Sequence, residues 1–311
     1  MKRLFLVAAL SVFLLPGCSK ESEPVTATVR ADVPAAFVAG AESSVMTSAI
    51  TGRKYQVTVA VPPNYATTNQ TYPVLYATDA NISFGTIVET ARLLTFDKLI
   101  PELIIVGVGW PVGYGINTVG PRTVDLTPTT DAAWMEWANR ELPKGGLPAP
   151  EGSGGGGGFL RFIREEVIPS VEQKYRIERN DRAYYGFSLG GLFGTYALLN
   201  NEGTFQRFII GSPSLWWNNR VIFDQEKAYA QTHKTLPARV FFSVGLDEES
   251  EYDNTGFKFA SVSTLREFVR VLTERHYDGL TIGTHYFEGE RHNSVSGATI
   301  SRGLRFIYAE Q

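Results

Sequence analysis

The stretch Ala183-Tyr184-Tyr185-Gly186-Phe187-Ser188-Leu189-Gly190-Gly191-Leu192-Phe193-Gly194 restricts the possible folds more than any other part of the chain. A short apolar run rich in aromatics ends at Gly186, and a run with helical periodicity begins at Leu189. Ser188 therefore sits where a strand turns sharply into a helix, which is the context of a Gly-x-Ser-x-Gly nucleophile elbow. Gly186 and Gly190 flank the serine because so tight a turn strains the backbone and brings neighbouring elements close, and a Cβ suits neither demand. The following helix presents its N-terminal amides at the serine, where an oxyanion would form, and the N–H of Leu189 is one candidate donor.

The segments around the elbow alternate in type. Arg53 to Val61 and Tyr72 to Thr78 have strand character, Phe84 to Lys98 is helical, and Leu103 to Trp110 is a continuous apolar run between Pro101 and Pro111. Such a run suits a strand buried on both faces, as in a parallel sheet. Phe159 to Tyr175 carries apolar residues at helical spacing. Phe205 to Gly211, Ala238 to Gly245 and Thr281 to Phe287 are further strands, and Phe257 to Tyr277 is a helix. The pattern predicts an α/β fold with a mostly parallel central sheet and helices on both faces. Residues 113 to 158 are irregular, with a helical patch at Trp134 and Trp137 and a glycine tract from Gly152 to Gly158. The tract lacks the Gly-Lys-Ser/Thr ending of a phosphate-binding loop, and it reads as a mobile surface loop, with a lid role open to the whole segment.

Candidate functional residues lie beyond the ends of strands. The turn Asp79-Ala80-Asn81 follows the second strand, and the backbone N–H of Asn81 is the candidate second oxyanion donor. Trp216 and Trp217, just past the strand ending at Gly211, either line a pocket for an apolar or aromatic group or fill the core. The loop Leu246 to Glu251 supplies the acid that a Ser, acid, His order requires, and Asp247, Glu248 and Glu249 all qualify. Four histidines are present. His233 and His276 fall near helix ends and His285 inside the last strand. His292 occupies a loop beyond a strand end, downstream of serine and acid, and is the expected general base. These histidines are too few and scattered for a zinc motif, so the expected chemistry needs no metal and no cofactor.

The N-terminus reads as a targeting segment. Lys2 and Arg3 precede an apolar core from Leu4 to Leu15, followed by Pro16-Gly17-Cys18. Residues 1–18 are expected to be a lipoprotein-type signal ending at Cys18, whose lipidation would anchor an exported protein to a membrane. Residues 19–36, polar with Pro24 and Pro34, form a flexible tether, which leaves 37–311 as a single catalytic domain. Cys18 is the sole cysteine, so the domain has no internal disulfide to rely on. A net charge of −3 gives no basic footprint for nucleic acid.

Taken jointly, the segments YPVLYATD, PRTVDLTPT, FLRFIREEVIP, YYGFSLGGLFG, SPSLWW, VGLDEE and GERHNS resemble the putative-esterase family of α/β-hydrolases over roughly residues 40 to 310. That family includes enterochelin-type siderophore esterases, S-formylglutathione hydrolases, feruloyl and acetyl-xylan esterases and mycolyltransferases. The resemblance implies an α/β-hydrolase fold with Ser188 as nucleophile and His292 as base. It favours Glu248 as the acid, since relatives often place a glutamate three residues after the glycine that closes this strand, here Gly245. The Asp79-Ala80-Asn81 turn departs from the Asp-Gly or His-Gly common in the family. The implied activity is serine carboxylic-ester hydrolysis through an acyl-enzyme, on small-molecule esters such as those of siderophores or carbohydrates. An acyltransferase and a non-catalytic surface binding protein are the alternatives. Arg122, with Arg220 and Arg291, is the candidate for gathering an anionic ligand. The oligomeric state is left open.

Overall fold

The computed structural model describes residues 38–111, 113, 118–249 and 259–309. The expected signal segment with Cys18 and the tether lie outside the described residues, as do Ser250 and Glu251 of the acid loop. Val38–Gln311 forms one compact unit.

The apolar runs become the strands of one eight-stranded sheet: β1 Ala41–Thr47, β2 Lys54–Ala60, β3 Tyr72–Ala77, β4 Ile104–Gly109, β5 Ile177–Phe187, β6 Arg207–Gly211, β7 Thr235–Gly245 and β8 Asp278–Phe287. Their spatial order is β1-β2-β4-β3-β5-β6-β7-β8, antiparallel at the β1, β2 and β4 pairings and parallel from β4 to β8. Consecutive residues of the inner strands point to opposite layers. Val74, Tyr76, Val106, Tyr184, Phe208, Ile210, Val240 and Phe242 enter one buried cluster. Leu75, Ala77, Ile105, Ala183, Tyr185, Ile209 and Phe241 enter the other. This two-sided burial explains why these strands read as continuous apolar runs rather than alternating ones.

Helices cover both faces. On one side lie α1 (Ala80–Phe96) and, from the C-terminus, Ser296–Tyr308. The other side carries α2 (Val119–Asp125), α3 (Ala132–Glu141), α4 (Gly156–Phe162), α5 (Ile168–Lys174), α6 (Leu189–Leu199), α7 (Trp217–Thr232) and α8 (Ser261–Arg275). The C-terminal helix Ser296–Tyr308 is α9.

Some sequence expectations change. Strand β1, an edge strand with mostly exposed residues, carries no apolar run and was not foreseen. The expected helix from Phe159 to Tyr175 begins earlier and contains a π-helical turn at Ile163–Val167 between α4 and α5. Pro169 explains the turn, because it lacks the N–H for an ordinary helical bond and its ring crowds the carbonyl four residues back. The last strand starts at Asp278 rather than Thr281. The glycine tract is not a mobile loop but a packed connection, and Gly156 opens α4. Gly154 N–H donates to Thr127 Oγ1 at 2.7 Å, Gly155 N–H to the Val124 carbonyl at 2.8 Å and Gly156 N–H to the Thr127 carbonyl at 2.9 Å. A Cβ on Gly155 or Gly156 would meet those carbonyl oxygens at 2.9 and 2.8 Å, so the tract is glycine-rich to let two backbones touch.

Candidate active site

The parallel register aligns the carboxyl ends of four neighbouring strands. Phe187 pairs with Gly211, Gly211 with Ser243, and Gly245 with Phe287. The loops that follow β5, β6, β7 and β8 therefore emerge at one rim, as ligand-bearing loops of open α/β sheets do.

At the centre of that rim β5 turns into α6 at Ser188, whose backbone adopts φ 61° and ψ −118°. A residue with a Cβ holds such angles only under external constraint. The constraints are visible: Ser188 N–H donates to the Gly211 carbonyl at 3.0 Å, and the Ser188 carbonyl accepts from Leu192 N–H at 3.0 Å and Ser214 N–H at 3.2 Å. The Tyr184 hydroxyl donates to the Gly190 carbonyl at 2.8 Å and lies 3.0 Å from Thr78 Oγ1 at the end of β3. A Cβ on Gly186 would meet the Gly190 carbonyl oxygen at 2.1 Å, and one on Gly190 would meet Thr78 Oγ1 at 2.7 Å. The two glycines are needed for close approach, not for unusual dihedral angles of their own.

His292, in the loop after β8, places Nε2 3.0 Å from Ser188 Oγ. Its Nδ1 lies 2.7 Å from Glu248 Oε2, and because a carboxylate oxygen can only accept, Nδ1–H donates to it. The hydroxyl of Ser188 then donates to the unprotonated Nε2. Glu248 is 2% exposed, and its other oxygen, Oε1, accepts from Ser212 Oγ–H at 2.7 Å and from Gly245 N–H at 2.8 Å. The loops of acid and histidine are joined by Asp247 N–H donating to the Glu290 carbonyl at 3.1 Å. The ring of Phe187 packs 5.1 Å from the imidazole. Of the three acids that the sequence left open, Glu248 meets the histidine. Glu249 instead accepts from Ser263 N–H at 2.8 Å.

The other histidines lie apart from this cluster. His233 stacks on Tyr229, His276 ends α8 in a left-handed conformation, and His285 sits on β8 beside Phe287, with burial and nearby Arg302 holding its imidazole below the usual range.

Ser188, Leu189 and His292 open onto a cavity of about 260 Å³ whose wall includes Val119, Arg122, Trp134, Trp137, Leu147, Trp216 and Phe259. Aromatic rings dominate one side, with Trp216 edge-on to Phe259 at 4.6 Å and Trp137 edge-on to Phe259 at 6.2 Å. A larger cavity of about 320 Å³ lies between α1 and the β2 and β4 side of the sheet, but its wall carries no serine, cysteine or histidine.

The remaining predicted residues divide. Leu189, the first residue of α6, lines the cavity, and its backbone N–H is among the helix's first-turn amides that have no intrahelical acceptor. Asn81, whose backbone N–H is the candidate second donor, is not part of this wall; its side chain accepts from Trp110 N–H and donates to the Trp110 carbonyl, both at 2.8 Å, just past the end of β4. Trp216 lines the cavity. Trp217 does not; it is fully buried, donates Nε1–H to the Thr129 carbonyl at 3.0 Å and packs 5.0 Å from Trp134, which makes it core. Arg122 lines the cavity as half of a bidentate ion pair, with Nε and one terminal nitrogen each 2.8 Å from an Asp79 oxygen. Its charge is thereby largely offset. Arg220 pairs with Glu267 at 2.6 Å, and neither it nor the exposed Arg291 belongs to the wall. Two contributors escaped the sequence reading: Ser212, whose hydroxyl donates to Glu248, and Asp79, whose carboxylate pairs with Arg122. Ser212 follows directly on Gly211 at the end of β6, and that position was its one available signal.

Residues 48–294 match the model of the family described as Putative esterase. The chain is similar to the ferri-bacillibactin esterase BesA of Bacillus subtilis, 32% identical over 277 residues that cover 86% of this chain and 90% of that protein. A siderophore triacetylfusarinine C esterase of Aspergillus fumigatus is 28% identical over 281 residues, covering 83% of this chain and 90% of the relative. Among solved structures, the BES protein from Bacillus cereus superposes with a TM-score of 0.74 at 30% identity, over 90% of this chain and all of the other.

Proposed function

The chain belongs to the Putative esterase family and is an ester hydrolase, and from that premise we propose that it cleaves carboxylic esters through an acyl-enzyme on Ser188, with siderophore-type esters as substrates. The observation that carries this reading is the continuous relay from Ser188 Oγ through His292 to Glu248, at 3.0 and 2.7 Å, opening onto a cavity.

In the first step Ser188 Oγ bonds to the ester carbonyl carbon while its proton passes to His292 Nε2. Glu248 holds Nδ1–H and stabilises the imidazolium that forms. The carbonyl oxygen becomes an oxyanion, and the N–H of Leu189 donates a hydrogen bond to it. The tetrahedral species collapses, the ester C–O bond breaks, and His292 returns its proton to the departing alkoxide. Water repeats the cycle on the acyl-enzyme and releases the acid and the free serine hydroxyl.

The substrate class is supported by the siderophore esterases named above and by the aromatic wall of the cavity, which suits a planar apolar or aromatic group. The leader pattern ending at Cys18 supports export and anchoring by a lipid at that residue. Purified protein given siderophore, feruloyl, acetyl-sugar and fatty-acyl esters should hydrolyse the siderophore ester with the highest kcat/KM, and a folded Ser188→Ala variant should lose on the order of 10⁶ in turnover. Parent-like turnover by that variant would remove Ser188 from the mechanism, and a clear preference for another ester would remove the substrate class.

A further inference from the structure

The aromatic wall is built from two pieces of chain that are remote in sequence. Trp134 and Trp137 ride on α3, whereas Trp216 stands at the end of the β6 loop, and the buried ring of Trp217 lies between them, 5.0 Å from Trp134 and 6.0 Å from Trp216. One side chain bonds to both pieces. Asp131, 6% exposed, accepts from Trp134 N–H through Oδ1 at 2.9 Å and from Asn218 N–H through Oδ2 at 2.8 Å. The first bond caps α3, and the second reaches the residue immediately after the two tryptophans.

What Asp131 grips there is unusual. Asn218, Asn219 and Arg220 all lie in the left-handed helical region, with φ of 43°, 52° and 67°. A run of three such residues is costly for side chains with a Cβ, and asparagine is among those that tolerate it best. The run is closed by Arg220 N–H donating to the Trp216 carbonyl at 3.3 Å. It is also fastened to the segment just before α3: Asn218 Nδ2 donates to Thr129 Oγ1 at 2.9 Å, and Trp217 Nε1 to the Thr129 carbonyl at 3.0 Å. Strain kept next to a ligand cavity marks a position that the surrounding structure over-determines.

We propose that Asp131 is a positioning residue that brackets the two halves of the aromatic wall and so sets the spacing at which the cavity holds a planar aromatic acyl group. The inference rests on reading this cavity as the ester site. Each carboxylate oxygen serves one half of the wall, so α3 and the tryptophan pair share one anchor. With the second bond lost, Trp216 and Trp137 no longer keep their register, and a bulky ring loses its fit while a small acyl group has little contact with the wall to lose.

The test uses two esters with the same leaving group, p-nitrophenyl acetate and p-nitrophenyl 2-naphthoate. Asparagine at position 131 remains a good helix cap for Trp134 N–H, but its amide nitrogen cannot accept from Asn218. For Asp131→Asn, kcat/KM on the naphthoate should fall about tenfold more than on the acetate, with the difference carried by KM, as expected for a misplaced wall. Asp131→Ser, which also caps but is too short to span both partners, should shift the ratio in the same direction and keeps the test open if the asparagine variant folds poorly. An unchanged naphthoate-to-acetate ratio in whichever of these variants fold, or a loss carried by kcat alone on both esters, overturns the proposal. Ser188→Ala, run in parallel, separates the two levels: activity lost there with an unchanged ratio here refutes only the bracket, whereas activity kept there refutes the site.

Discussion

Replacing Glu248 by glutamine should abolish most turnover while leaving the fold nearly intact, and replacing it by alanine should reverse that balance. In the parent, Oε1 faces two donors, the Ser212 hydroxyl and Gly245 N–H, and Oε2 faces His292. Glutamine has one oxygen and one NH2 group, and the two donors at the inner position select the oxygen for that side. The NH2 group then faces His292 Nδ1 and must donate to it, which forces the proton onto Nε2. An imidazole protonated at Nε2 cannot take the proton of Ser188. The same tautomer exchange in a serine protease triad costs about 10⁴ in kcat, or roughly 5.5 kcal/mol of transition-state stabilisation. Stability should change by less than about 1 kcal/mol, because every buried partner stays satisfied. Glu248→Ala removes the acceptor from Ser212 and Gly245 N–H, and leaving those buried groups unmet costs about 1–3 kcal/mol each. Its histidine is free to adopt either tautomer, so its kcat should exceed that of the glutamine variant. Steady-state hydrolysis of p-nitrophenyl acetate and urea unfolding read both quantities. A glutamine variant within tenfold of the parent kcat would refute the reasoning, because Ser188 and His292 would then suffice without an oriented imidazole.

Three further outcomes follow from other parts of the structure. Ser188→Gly should be inactive yet about 1 kcal/mol more stable to urea than the parent, since glycine adopts φ 61° without the penalty that serine bears; a less stable variant would mean that the elbow is unstrained. Trp217→Ala should lose about 3–5 kcal/mol of stability as a core truncation, whereas Trp216→Ala should cost far less stability and raise KM for aromatic esters; equal losses of stability would erase the distinction between wall and core. Burial pushes the Asp125 carboxyl up to about 6, against the opposing hydrogen bond from the Trp110 indole. The folded state therefore holds that proton at a pH where the unfolded chain has released it, and this contribution, up to ~3 kcal/mol, is present in acid and lost as pH rises through about 6. Asp125→Asn should show a flatter stability profile between about pH 4 and 6.5 in urea titrations, and a slope equal to the parent's would assign the dependence to other groups.

The layered α/β architecture, the serine at the strand-to-helix turn and the histidine after the last strand were all legible along the chain. Those are local properties: apolar runs without alternation require burial on both faces, glycines at 186 and 190 answer a steric need within a few residues, and His292 stands out by its place in chain order. Glu248 was separated from its acidic neighbours only through the family resemblance, because a loop of carboxylates carries no periodicity to say which one turns inward. Which tryptophan is wall and which is core follows from long-range packing, since adjacent residues share the same local signal and differ only in what packs against them. Packing also sets the Asn81 side chain on Trp110, Arg122 on Asp79, Ser212 on Glu248 and Asn218 on Asp131, and makes the glycine tract packed rather than loose. Each of these depends on partners between 27 and 87 residues apart, and no pattern read along the chain contains that distance.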